Sequence, residues 1–157
     1  MLFFLWKRKP TVTESIATIV IMAGSVLLFA YWFRYTCLLM LHARTARDYA
    51  REVATANQLS FANVQSQLCE PNADLDVLRD LLDRDYALVT RLMNEVANGQ
   101  SGIEERMLAF NYRLASMRYQ FAQRFSMQSA RQALEEMSLV VAHFANSVGE
   151  AAATSAA

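Results

Sequence analysis

Ser15-Ile-Ala-Thr-Ile-Val-Ile-Met-Ala-Gly-Ser-Val-Leu-Leu-Phe-Ala-Tyr-Trp-Phe33 is a run of nineteen residues without one ionisable side chain. As a helix rising about 1.5 Å per residue it covers roughly 28 Å, close to the hydrocarbon thickness of a bilayer. It ends in Tyr31, Trp32, Phe33 and Tyr35, aromatic rings of the kind that settle at headgroup level. The run therefore predicts one membrane span. Ile16, Ile19, Val20, Leu27, Leu28 and Trp32 are its expected lipid contacts, with Arg34 snorkelling to the headgroups. A secretory signal would have a shorter apolar core and a small-residue cleavage site, and Trp32-Phe33-Arg34-Tyr35 offers none. A buried core helix of this length would normally carry a polar face.

Outward from the span, residues 1–14 form a short lead-in, greasy from Met1 to Trp6 and basic at Lys7, Arg8 and Lys9. Residues 15–41 form the span and its exit. No Gly or Pro interrupts the chain from Arg34 to Cys69, so the helix is expected to continue as a stalk over 42–69. Its seam would be Ala46, Ala50, Val53, Asn57, Phe61, Val64 and Leu68. Pro71 breaks the stalk by pushing the preceding residue out of helical geometry, and Asn72 or Asp74 can cap a second helix. That helix, 74–97, places Leu75, Leu78, Leu82, Val89, Leu92 and Val96 inward. Gly99 ends it, and Ser101 with Glu104 reads as a capping box.

The last helical region, 102–148, carries a heptad-like stripe of Ile103, Met107, Phe110, Leu114, Met117 and Phe121. The phase then shifts to Leu134, Met137, Val141, Phe144 and Val148, predicting a kink near 126–129 with Ser129 and Gln132 as a second capping box. Residues 149–157 have nothing to pack and read as a loose tail. Residues 42–148 thus predict an all-α bundle of three to four antiparallel helices. With the hairpin turn near residue 100, Arg91 would face Glu105, Asp83 would face Arg118, and Asp76 would face Arg124.

Composition agrees with helices and argues against several activities. Four Gly and two Pro are too few for a β-rich fold with many tight turns. From His42 onward eleven arginines oppose fourteen acids, 11 − 14 = −3, and no basic stripe is available for nucleic acid. Cys37 and Cys69 have neither metal-ligand nor redox spacing and read as unpaired thiols, with a Cys69–Cys69 bridge between copies as the alternative. His42 and His143 lack a second ligand at helical spacing. Asp74, Asp76, Asp80, Asp83 and Asp85 lack the glycine turn of a calcium loop and read as a solvated face paired with arginines. No phosphate loop, nucleophile elbow or zinc motif occurs. The expectation is a protein that is not an enzyme, without cofactor, metal or small-molecule substrate.

The layout of one span and a helical hairpin looks broadly like that of LemA-family bacterial membrane proteins. Leu88-Val89-Thr90-Arg91-Leu92 falls where that family has Leu-Ile-Pro-Asn-Leu, without the proline and asparagine. Phage inner-membrane spanins share an anchor and a stalk but are far more hydrophilic. Neither family is assigned.

What remains is a structural or adaptor subunit at a membrane, packing onto protein partners or a second copy. Phe110, Leu114, Met117, Phe121, Met137 and Phe144 are the expected partner-binding residues. The alternative is a single-pass sensor in which the stalk transmits movement. Lys7, Arg8 and Lys9 favour a cytoplasmic N-terminus and an extracytoplasmic domain in a bacterial inner membrane. The same pattern fits a mitochondrial inner-membrane subunit.

Overall fold

The computed structural model describes residues 12–42, 48–96 and 102–155. Among them are six helices and no strand: α1 (Val12–His42), α2 (Ala50–Asn57), α3 (Phe61–Gln67), α4 (Leu75–Val96), α5 (Ile103–Ala122) and α6 (Met127–Ser155). The chain divides into two compact units, Met1–Leu39 and Met40–Ala157.

The first unit is α1. Within Thr13–Leu41 the most apolar eighteen-residue stretch has a mean hydropathy of 2.1, so the helix is long and apolar enough to cross a membrane. Three of its hydroxyls bond back to the helix's own carbonyls, the arrangement a nonpolar surround favours. Thr18 donates to the Glu14 carbonyl at 2.8 Å, Ser25 to Ile21 at 2.9 Å and Thr36 to Trp32 at 2.9 Å.

In the second unit α6 is the centre, and α2, α3, α4 and α5 all pack on it. The reason lies in its composition. Ala130, Ala133, Leu134, Met137, Val140, Val141, Phe144, Ala145 and Val148 are all buried and form an apolar face roughly 140° wide. Glu136, Ser138, Asn146 and Gly149 are buried beyond its edges, so the neighbours enclose more of the helix than this face alone. The phase-shifted stripe from Leu134 to Val148 thus forms the core. The expected loose tail is instead helical through Ser155, although residues 150–155 are exposed.

The expected unbroken stalk is two short helices. Asp48 and Tyr49 are not helical, and Gln58 ends α2 in the left-handed region at φ 54°. Ala50 and Ala54 of α2, and then Phe61 and Val64 of α3, all reach the core. On one straight helix these four would share a face as well, so the turn redirects the chain without changing which face is apolar. Val53 and Asn57 are only half-buried, and Ala46 lies outside the described residues.

Each break is held from a distance. Asn146 of α6 accepts from the Tyr49 backbone amide at 2.8 Å, tying down the entry to α2. Asp85 of α4 accepts from the Ser60 amide at 2.6 Å at the start of α3. Arg131 of α6 donates to the carbonyls of Leu68, Glu70 and Pro71 at 2.8, 2.7 and 2.7 Å. It thereby satisfies acceptors that a helix end and a proline turn leave without intrahelical partners. Arg131→Ala is expected to cost about 2 kcal/mol, and Arg131→Lys to recover little because one ammonium cannot reproduce the fork. Urea denaturation checks both, and an unchanged Arg131→Ala midpoint would contradict the clamp.

The breaks after α3 and α5 fall close to where the sequence places them. Asp74 caps α4, accepting from the Asp76 amide at 3.1 Å. Residues 123–126 separate α5 from α6, and Ser126, not Ser129, is the cap, its hydroxyl accepting from the Ser129 amide at 3.3 Å. Gly99 and Ser101 lie outside the described residues. At the start of α5 the side chain that reaches back is Glu105, accepting from the Gly102 amide at 2.8 Å, in place of Glu104.

Candidate interaction surface on α5

The rotation of α5 about its own axis decides what this protein shows to solvent. Its buried side chains are Leu108, Asn111, Tyr112, Ala115 and Tyr119. Tyr112 donates to Asp83 at 2.8 Å, and its ring stacks on Tyr86 with centroids 3.9 Å apart. One heptad on, Tyr119 donates to Asp76 at 2.9 Å. Burial and the neighbouring carboxylates push both phenols well above their usual range, so they remain donors. On the α6 side, Glu136 is buried and accepts from Asn111 at 3.1 Å and from Arg118 at 2.7 Å.

These bonds replace the expected charge register. Asp83 and Asp76 meet tyrosines, Arg118 meets Glu136, and Arg91 pairs within its own helix with Glu95 at 3.5 Å. A phenol can be buried with one hydrogen bond, whereas an arginine–aspartate pair at the same depth would need far more compensation. Two tyrosines and two aspartates, each pair spaced by seven, were the signal that a search for opposite charges overlooked.

The heptad stripe consequently faces outward. Ile103 is 79% exposed, Phe110 53%, Met117 55% and Phe121 66%, with Leu114 at 38% and Phe125 following at 85%. Four of the six expected partner-binding residues, Phe110, Leu114, Met117 and Phe121, thus share one exposed face. The other two do not join them. Met137 and Phe144 are fully buried in α6, Phe144 near the Tyr86 ring, and belong to the core. The inward face of α4 also differs from expectation, with Asp85 and Met93 buried while Leu92 is half-buried and Val96 exposed.

The anchor residues Ile16, Ile19, Val20, Leu27, Leu28 and Trp32 are all exposed on α1, as is Arg34. Neither cysteine is in a disulfide, and Cys69 is exposed beside an open groove of about 350 Å³ that Gln65, Arg131 and Glu135 help to line. His143 is half-buried at the core edge. Desolvation lowers its pKa, opposed by Glu104, Glu150 and Glu105. No group of three or more metal-ligating side chains occurs among the described residues.

Asp85 is the one buried carboxylate whose burial outweighs its hydrogen bonds. Desolvation raises its pKa above 3.8, while the Ser60 and Phe61 amides and Arg84 pull it back. A raised acid binds its proton more tightly when folded, so this contribution is full below pH 3.8 and is lost as pH rises through the folded value. Asp85→Asn keeps an acceptor for Ser60 without the charge. Its stability relative to wild type is expected to be higher at pH 7 than at pH 4, and Asp85→Ala, which also loses the cap, is expected to follow the same trend about 1 kcal/mol below Asp85→Asn at both. Paired denaturation curves test this, and an Asp85→Asn difference independent of pH would refute it.

The fold and this surface define a class: an all-helical protein with one helix apolar and long enough to cross a membrane, and a helical unit that exposes an apolar face on α5. No protein-family model, no curated protein and no solved structure matches the chain.

Proposed function

We propose that this protein is a single-pass membrane-anchored structural or adaptor subunit that presents α5 as a packing surface to a protein partner. The observation that carries the reading is the row Ile103, Phe110, Leu114, Met117 and Phe121, exposed along a helix whose opposite side is bonded into the core. Covering such side chains stabilises an association by up to about 1.5–3 kcal/mol each, which gives that face a purpose that solubility alone would select against. The helix α1 supplies the anchor.

The sensor reading loses support, because it relied on an unbroken stalk and the helices are interrupted at Asp48–Tyr49 and after Asn57. The membrane we favour is a bacterial inner membrane with the helical unit outside the cytoplasm, from Lys7, Arg8 and Lys9 ahead of the apolar run. Cys69, being exposed, reports the side. Labelling of Cys69 by an impermeant thiol reagent in intact cells is expected, and labelling only after lysis would reverse the orientation.

Detergent extraction, crosslinking and size-exclusion chromatography test the adaptor role. The full chain is expected to run in a larger complex that Met117→Asp and Phe121→Asp disperse without loss of helicity. A wild-type chain that runs as a monomer with no copurifying partner would overturn it.

A further inference from the structure

The stripe on α5 is narrow and has a charged edge, and these two properties limit what can cover it. At about 100° per residue, Ile103, Met107, Phe110, Leu114, Met117 and Phe121 fall within roughly 80° of the helix circumference. That is a coiled-coil seam alternating by four and three, narrower than the broad apolar face with which amphipathic helices lie in lipid. A seam of this width receives knobs from one facing helix. Along one edge run Arg106 and Arg113, one heptad apart and both exposed. On the other edge the helix turns into the core through Asn111 and Arg118.

A second copy of the chain suits this seam poorly. In an antiparallel pair centred on it, Arg113 meets Arg113 of the other copy. In a parallel pair, Arg113 of one copy comes beside Arg118 of the other. Either arrangement sets like charges against each other where flanking pairs decide partner choice.

We infer that the α5 seam is occupied by a helix of a different protein, one with its own leucine- or isoleucine-type seam and glutamate or aspartate along the flank that meets Arg106 and Arg113. This rests on the adaptor reading of the same surface and adds the chemistry of the partner.

The test uses the full chain in lipid nanodiscs and two synthetic helical peptides that share one Leu/Ile seam, one flanked by Glu and the other by Lys. The Glu peptide is expected to bind about fivefold or more tighter at low salt, with the advantage shrinking as salt screens the flank. The double variant Arg106→Glu/Arg113→Glu is expected to reverse the preference, and Met117→Asp to weaken both peptides. Equal binding of the two peptides, abolished by Met117→Asp, would overturn the acidic partner while sparing the surface. Binding of neither peptide, or binding insensitive to both Met117→Asp and Phe121→Asp, would overturn the surface reading and this inference together. Self-association of the chain without peptide, abolished by Met117→Asp, would make the occupant a second copy. A Phe121→Trp reporter in a chain with Trp6 and Trp32 changed to Phe covers the remaining case. Its quenching by brominated anionic lipid would make the occupant the bilayer.

Discussion

Gly149→Leu is expected to lift α2 from α6 and destabilise the helical unit by about 2–3 kcal/mol, the upper part of the range for overpacking. A Cβ at Gly149 would overlap the Tyr49 Cβ and stand 3.1 Å from its Cγ and 3.2 Å from a Val53 methyl. The Tyr49 Cβ is fixed to the backbone and has no rotamer by which to escape. Even Gly149→Ala is expected to destabilise, although alanine gains about 1 kcal/mol over glycine in a helix interior. The clash outweighs that gain because relief requires α2 itself to move, and the Asn146–Tyr49 bond of 2.8 Å moves with it. Thermal denaturation gives the magnitude, and hydrogen exchange at the Val53 amide gives the location. A Gly149→Ala protein as stable as wild type would show that the two helices do not approach so closely. α2 is the first described helix after α1, so the same variant probes how firmly the start of the unit is docked.

Arg118→Ala is the second large effect, expected to cost about 2–4 kcal/mol. Glu136 has a side chain only 5% exposed and receives its strongest bond from Arg118 at 2.7 Å. Removing the guanidinium takes the opposing charge from a buried carboxylate, and breaking a buried pair from one side is costlier than removing both partners. The Arg118 side chain is 39% exposed, which admits water and keeps the effect below that of a fully enclosed pair. The double variant Arg118→Met/Glu136→Leu is therefore expected to regain most of the loss. Urea midpoints for the two singles and the double complete the cycle. Additive losses would mean that the two side chains do not interact. Because this pair helps set the rotation of α5, the single variants should also reduce the accessibility difference between Phe121 and Tyr119.

Neither Gly149 nor Arg118 announces its role in the sequence, whereas other features do. The apolar run from Ser15 to Phe33, the Pro71 break and the phase change before α6 depend on residues near one another in the chain, and each was legible. Gln58 was not, since a left-handed residue that is not glycine carries no local signal. α2 and α3 pack on α6 from either side of that turn, contacts that exist only once α6 is in place. Asp85 likewise read as part of a solvated face and Arg131 carried no local signal, yet their partners are backbone groups 25 and about 60 residues away.

α5 is the clearest case, because its sequence holds two apolar faces. Ile103, Met107, Phe110, Leu114, Met117 and Phe121 make the more hydrophobic one, while Leu108, Tyr112, Ala115 and Tyr119 make the other. Periodicity ranks the faces by hydrophobicity but cannot say which is buried. By itself the sequence determined the helices, most of their ends and the one long enough to cross a membrane, because propensity, proline geometry and apolar length act locally. Which side of α5 remained exposed was decided only in the tertiary structure. There Asp76 and Asp83 of α4 and Glu136 of α6 satisfy the tyrosine, asparagine and arginine donors on one face. Buried polar groups must be paired, and that requirement turned the greasier stripe outward.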